Sequence, residues 1–119
     1  MNTRTLGSFG EEEAARFLRR KGYRIVERNF RCRFGEIDII ARKRNILAFV
    51  EVKLRRDSRF AEAREFVTRS KQQRILASAQ LYLAAHPEDV QPRFDVVEVY
   101  APEGEKGKVT VEHLEDAFM

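Results

Sequence analysis

The chain has 119 residues, of which 43% are hydrophobic and 35% charged, with a formal net charge of +4. That length suits one domain over residues 1–119 with a single core, and the apolar content speaks against a disordered chain. Cys32 is the only cysteine, so an intramolecular disulfide is excluded and the thiol reads as a small residue near a strand end. No apolar run approaches the roughly 20 residues of a membrane span. Near the N-terminus stand three consecutive Glu where a signal peptide would be apolar, which places the expected location in the cytoplasm with no membrane partner. The charge is unevenly spread. Residues 1–74 hold 20 Lys and Arg against 10 Asp and Glu, a balance of +10, whereas residues 75–119 hold 3 against 9, a balance of −6. Such asymmetry suits a protein that offers one basic surface to a polyanion.

In chain order, Ser8-Phe9-Gly10-Glu11 reads as a capping box. Glu11, Glu12 and Glu13 would then lie in the first turn, where the helix dipole favours acids. Ala14, Phe17 and Leu18 line one face of this helix, and Gly22 ends it as a left-handed cap. Tyr23 to Phe30 is the first expected strand. Arg28, Arg31 and Arg33 interleave with Phe30 and Phe34, a pattern that suits contacts to a nucleic-acid backbone, although both Phe read first as core.

Gly35 to Lys53 follows as a hairpin whose arms alternate with period two. With a two-residue turn at Arg44-Asn45, Asp38 stands opposite Glu51 and Glu36 opposite Lys53, on one side of the sheet. Ile37, Ile39 and Ala41 face Ala48, Val50 and Val52 on the other. Two carboxylates about 4 Å apart repel by roughly 4 kcal/mol at a near-surface dielectric. A proton, a cation or a neighbouring Lys must resolve that. Hard divalent cations are natural partners for oxygen donors, and Mg²⁺ is commonly held by one or two carboxylates. An ordinary cross-strand salt bridge is the plainer alternative. Against it, Glu51 interrupts an apolar arm, where a charge is costly unless paired or functional.

Beyond the hairpin, Leu54 to Phe60 is a charged loop with Arg55, Arg56 and Arg59 placed to grip phosphates. A short helix is expected over Ala61–Val67. Thr68 caps a longer one over Arg69–Ala85, whose inward stripe is Ile75, Leu76, Ala79, Tyr82 and Leu83, and His86-Pro87 stops it. Lys71 lies in its first turns, where the helix dipole disfavours a cation. Phe94 to Val99 is an interior strand, with Asp95 expected in a salt bridge to a basic neighbour. Gly104 to Gly107 turns into a weaker strand at Val109 and Val111. His113 has no metal-ligating companion nearby in the sequence.

Asp38 followed by Glu51-Val52-Lys53 resembles the Asp…Glu-x-Lys core of restriction-endonuclease-like nucleases, including Holliday junction resolvases. The longer string of Gly10-Glu11, Gly22-Tyr23, Asn29-Phe30-Arg31, Gly35-Glu36-Ile37-Asp38, Phe49 to Lys53, Arg55, Lys71 and Arg93-Phe94-Asp95 resembles the YraN-like bacterial family over nearly the whole chain. The resemblance implies an α/β restriction-endonuclease-like fold, a mixed β-sheet flanked by α-helices. It also implies a DNA endonuclease dependent on Mg²⁺ or Mn²⁺, acting on branched DNA among the substrates to be tested. Asp38, Glu51 and Lys53 would be catalytic. Asp38 and Glu51 would hold the metal, with Glu36 or Glu11 as a further carboxylate. Arg31, Arg55, Arg56 and Lys71 would hold the nucleic acid. A homodimer would suit two-strand cleavage. The rival expectation is a non-catalytic nucleic-acid-binding module with a vestigial acidic cluster.

Overall fold

A computed structural model of the chain describes residues 6–56 and 67–118. The expected helix over Ala61–Val67 lies outside them apart from Val67, as does the loop from Asp57 to Phe60. Helix α1 (Leu6–Arg20) is followed by strands β1 (Arg24–Cys32), β2 (Gly35–Lys43) and β3 (Ile46–Arg55). Helix α2 (Arg69–Ala85) and strands β4 (Gln91–Tyr100) and β5 (Thr110–Leu114) complete the order. The five strands form one mixed sheet in the order β1-β2-β3-β4-β5. Only β3 and β4 run parallel, because α2 carries the chain back across the sheet between them. This mixed sheet with a helix on each face is compatible with a restriction-endonuclease-like α/β fold.

Two apolar layers fix the helices. Phe9, Ala14, Ala15 and Leu18 of α1 pack on Ile39, Ala41, Ala48, Val50, Val97 and Val99. Ile75, Ala79 and Tyr82 of α2 pack on the opposite face with Ile40, Leu47, Phe49 and Val96. Strand alternation delivers these two sets to opposite sides, and both helices are stripes of period 3.6 laid on them.

Three sequence expectations are corrected. Helix α1 begins at Leu6, so Ser8 stands inside it rather than at its N-cap, and no acidic residue occupies the first turn. The dipole therefore does not account for Glu11 to Glu13. Ile37 does not join Ile39 and Ala41; it packs in the α2-side core with Phe49 and Ile75. The alternation changes phase beside Asn29, the β1 residue between those paired with Ile39 and Ile37, which adopts φ 54°.

The chain stops where expected at the helix ends. Gly22 takes φ 98°, its N–H donates to Arg19 O, and the Tyr23 N–H donates to Leu18 O. That pair of bonds is the Schellman arrangement, which satisfies carbonyls the helix would leave orphaned. Thr68 accepts from the Lys71 N–H at 3.1 Å, capping α2.

Candidate carboxylate and basic-cleft site

The hairpin register matches the sequence expectation, from Lys43↔Ile46 through Ile39↔Val50. There the β2–β3 ladder ends. Strand β2 continues alongside β1 to Gly35, and β3 continues alongside β4 to Arg55, so the two strands part company between them. Asp38 and Glu51 are the first residues past the last paired row. A parted ladder leaves backbone donors needing an acceptor. The Val52 N–H finds one in Asp38 Oδ2, at 2.8 Å. The side chain of Asp38 thus takes over a position in the sheet where a carbonyl would otherwise serve.

Glu51 is 5% exposed, on the α2 side of β3. Its Oε2 lies 3.5 Å from Lys53 Nζ and 3.1 Å from Lys71 Nζ. Lys53 is brought to it by the period of the strand, Lys71 by the first turn of α2. Burial pushes the Asp38 carboxyl up to about 7, and the charge of Glu51 adds to the rise against the Val52 N–H, with Glu11 and Glu36 contributing further. Acidic charge therefore converges on Asp38 from two strands and from α1. Helix α1 packs on β3 at this point, with Gly10 against Leu54 and Val52; a Cβ there would stand 3.5 Å from Leu54 Cβ, an ordinary contact.

Of the residues expected in the site, Lys53 reaches Glu51 and the Glu51 charge acts on Asp38. The expected rows of Asp38 opposite Glu51 and Glu36 opposite Lys53 do not form, because the β2–β3 ladder ends at Ile39↔Val50 and Glu36 pairs with Arg31 of β1. Lys71 joins them through Glu51. Glu36 pairs with Arg31 at 3.5 Å, and Glu11 with Arg28 at 3.9 Å. Arg55 turns instead to Glu98, a side chain 1% exposed, at 3.5 Å. Arg56 is exposed at the end of a described segment. Among the described residues there is no group of three or more His, Cys, Asp or Glu arranged to hold a metal ion. The donors that fit are thus the two carboxylates of Asp38 and Glu51. Such a pair suits an ion that keeps most of its waters, such as Mg²⁺, rather than one enclosed by protein ligands.

Beside this pair an open cleft of about 380 Å³ separates the β1–β2 turn from α2, lined by Arg31, Cys32, Gly35, Glu36, Lys71, Arg74 and Ile75. The exposure of Phe34, read from the sequence first as core, was not foreseen. Arg74, one of the cations that the sequence places on the first turns of α2, is a wall of this cleft. The unusual cations at the start of α2 were the available signal.

On the α1 face of the sheet, one row from Glu51, Asp95 pairs with Val50, is fully buried and meets Arg93 at 2.8 and 2.9 Å. The expected salt bridge is therefore present, and His113 Nε2 adds a contact at 2.8 Å. Arg93 also donates to the Tyr23 hydroxyl. This network joins the α1–β1 connection, through Tyr23, to β4 and β5. His113 is thereby a structural residue, a role its place in the sequence did not disclose.

A family model described as "Uncharacterised protein family UPF0102" matches residues 10–99, a span that includes every member of the carboxylate site. A UPF0102 protein of Nocardia farcinica is 49% identical over 114 residues, covering 95% of this chain and 88% of that one. One of Symbiobacterium thermophilum is 46% identical over 117 residues, 98% of each chain. One of Caldanaerobacter subterraneus is 44% identical over 119 residues, 99% of this chain and 98% of its own.

Proposed function

The chain belongs to the UPF0102 family, the one anticipated as YraN-like, and from that premise and the site's geometry we propose that it is a divalent-metal-dependent DNA endonuclease. The observation that carries this reading is the meeting of Asp38 and Glu51 where β2 and β3 separate, with Lys53 and Lys71 both on Glu51. Acidic donors with ammonium groups beside them form a site that can face both a cation and a phosphate.

Asp38 and Glu51 would hold Mg²⁺ or Mn²⁺, which would supply Lewis-acid polarisation of the phosphodiester and a more acidic water. Val52 fixes one oxygen of Asp38, so that its carboxylate is oriented before any ligand arrives. Lys53 would hold the attacking water and offset the charge gathering on the phosphoryl oxygens. Water adds to phosphorus as the bond to one ester oxygen breaks, leaving a phosphate monoester and a hydroxyl end. Lys71, still 42% exposed in its side chain, can turn from Glu51 to a DNA phosphate. Arg31 and Arg56, both exposed, extend the basic surface.

One feature favours the alternative of a binding module without catalysis: Glu51 already has two ammonium partners and is neutralised without a metal. Cleavage separates the two readings. Labelled single-stranded, duplex, flap and four-way-junction DNA would be incubated with Mg²⁺ or Mn²⁺, using wild type and Asp38→Asn purified identically. Metal-dependent cutting lost in Asp38→Asn is the expected result. Equal inertness of both proteins with retained DNA binding would replace the nuclease by the binding module.

A further inference from the structure

We infer that the β1–β2 turn and the adjoining cleft form a binding track for single-stranded DNA, with Phe34 as a base-stacking platform. The inference rests on the nuclease reading for its substrate class, and on separate residues for its argument. Cys32 pairs with Gly35, so Arg33 and Phe34 are the two turn residues at the tip of the hairpin. Tight turns favour Gly, Asn, Asp, Pro and Ser for conformational reasons, and none of those reasons calls for Phe. Phe34 is nevertheless there, 37% exposed, one of only two large hydrophobic side chains so exposed among the described residues. Its neighbour in the core pattern, Phe30, is by contrast packed edge-on against Tyr82 at 5.3 Å. The Arg33 guanidinium lies over the Phe34 ring, 4.9 Å from its centroid, leaving one aromatic plane flanked by a cation. An aromatic face beside positive charge is the arrangement that receives unpaired bases.

The tip is held in place. The Cys32 thiol donates to Ser78 Oγ at 3.3 Å, and the Ser78 hydroxyl donates to Arg74 O at 2.8 Å. A Cβ on Gly35 would lie 3.6 Å from Arg74 Cβ, so the turn sits directly on α2. Below it the cleft continues between Arg31 and Arg74 to Lys71, whose Nζ is 3.1 Å from Glu51. The turn that carries Phe34 thus adjoins the cleft through Cys32 and Gly35, and the cleft reaches the carboxylate pair through Lys71. Glu36 lies on the same wall, where Arg31 offsets it at 3.5 Å. A duplex hides its base faces and gives Phe34 nothing to stack on; a single strand or an unpaired tail offers them. The occupant whose chemistry fits both features is single-stranded DNA.

The test measures binding of fluorescent oligothymidylate and of a blunt duplex in EDTA, with no cleavage required, for wild type, Phe34→Ala, Phe34→Leu and Phe34→Tyr. Stacking on one aromatic side chain predicts a loss of roughly 5- to 100-fold for oligothymidylate in Phe34→Ala. Phe34→Leu, apolar but without a ring, should lose as much, whereas Phe34→Tyr should bind like wild type. Duplex binding should change less than about two-fold throughout, and an exposed ring should leave the unfolding midpoint in place. Failure of wild type to bind oligothymidylate, or equal binding by all four proteins, overturns the inference whether or not the protein cleaves DNA. Retained discrimination by Phe34 in a protein that cuts nothing would sustain the track while ending the nuclease reading.

Discussion

Replacing Asp38 by Asn should stabilise the protein at alkaline pH and leave it unchanged in acid. The folded state raises the Asp38 carboxyl from 3.8 to about 7, through burial first and the charge of Glu51 second, with the Val52 N–H opposing them. The unfolded chain titrates near the ordinary value. Between the two, the folded state holds a proton that the unfolded state has released, so stability declines as pH rises through that interval and the loss is complete above about 7. Three pKa units at about 1.4 kcal/mol each set a ceiling of about 4 kcal/mol. Water reaching the partly exposed side of Asp38 screens its neighbours and brings the expected figure nearer to 2 kcal/mol. Asparagine has the same shape and still offers an oxygen to Val52, so the substitution removes the charge alone. Urea unfolding in EDTA at a series of pH values is the assay. The two proteins should have equal stability near pH 4, and the variant should lead by about 2 kcal/mol at pH 8. Mg²⁺ should narrow that lead by stabilising wild type only. Stability curves that run parallel from acid to alkali would refute the reasoning, because the crowding of acids around Asp38 would then have no energetic effect.

The network around Asp95 on the opposite face of the sheet should respond to pH with the opposite sign. Burial works to raise the Asp95 carboxyl, but hydrogen bonds from His113, Arg93 and the Asp116 N–H outweigh it and hold the group below its ordinary value. Its contribution is present at neutral pH and lost as pH falls through the folded-state value. Asp95→Asn should therefore cost about 2–3 kcal/mol at pH 7 by taking the nearest charge partner from the half-buried Arg93, which keeps only Glu115 at 3.8 Å, and no loss in urea unfolding would count against it. Lys71→Gln should change stability by less than about 1 kcal/mol, since its side chain is 42% exposed. The same variant should weaken DNA binding and reduce the salt slope by about 1, read by titration at several salt concentrations; an unchanged slope would remove Lys71 from the phosphate contacts.

The sequence by itself determined the local elements and most of the carboxylate site. The limits of α2 were legible because Thr68 caps it and His86-Pro87 ends it, both local effects. The register of β2 on β3 followed from a two-residue turn, and Asp38, Glu51 and Lys53 were named because that register places them at one end of the hairpin. What the sequence did not determine is where the ladder would stop. Strand separation beyond Ile39 and Val50 depends on β1 and β4 pulling β2 and β3 to different neighbours, which is a property of the whole sheet. The assignment of cations was likewise tertiary. Arg55 looked as well placed for phosphate as Lys71, yet one meets Glu98 and the other Glu51, because strand alternation and the α2 crossover bring distant carboxylates to them. Ile37 followed the same rule: its period-two pattern promised one face, and the phase change beside Asn29 turned it to the other. Periodicity and caps act between near neighbours in sequence and can be read there, whereas packing partners are chosen among residues that only the folded chain brings together.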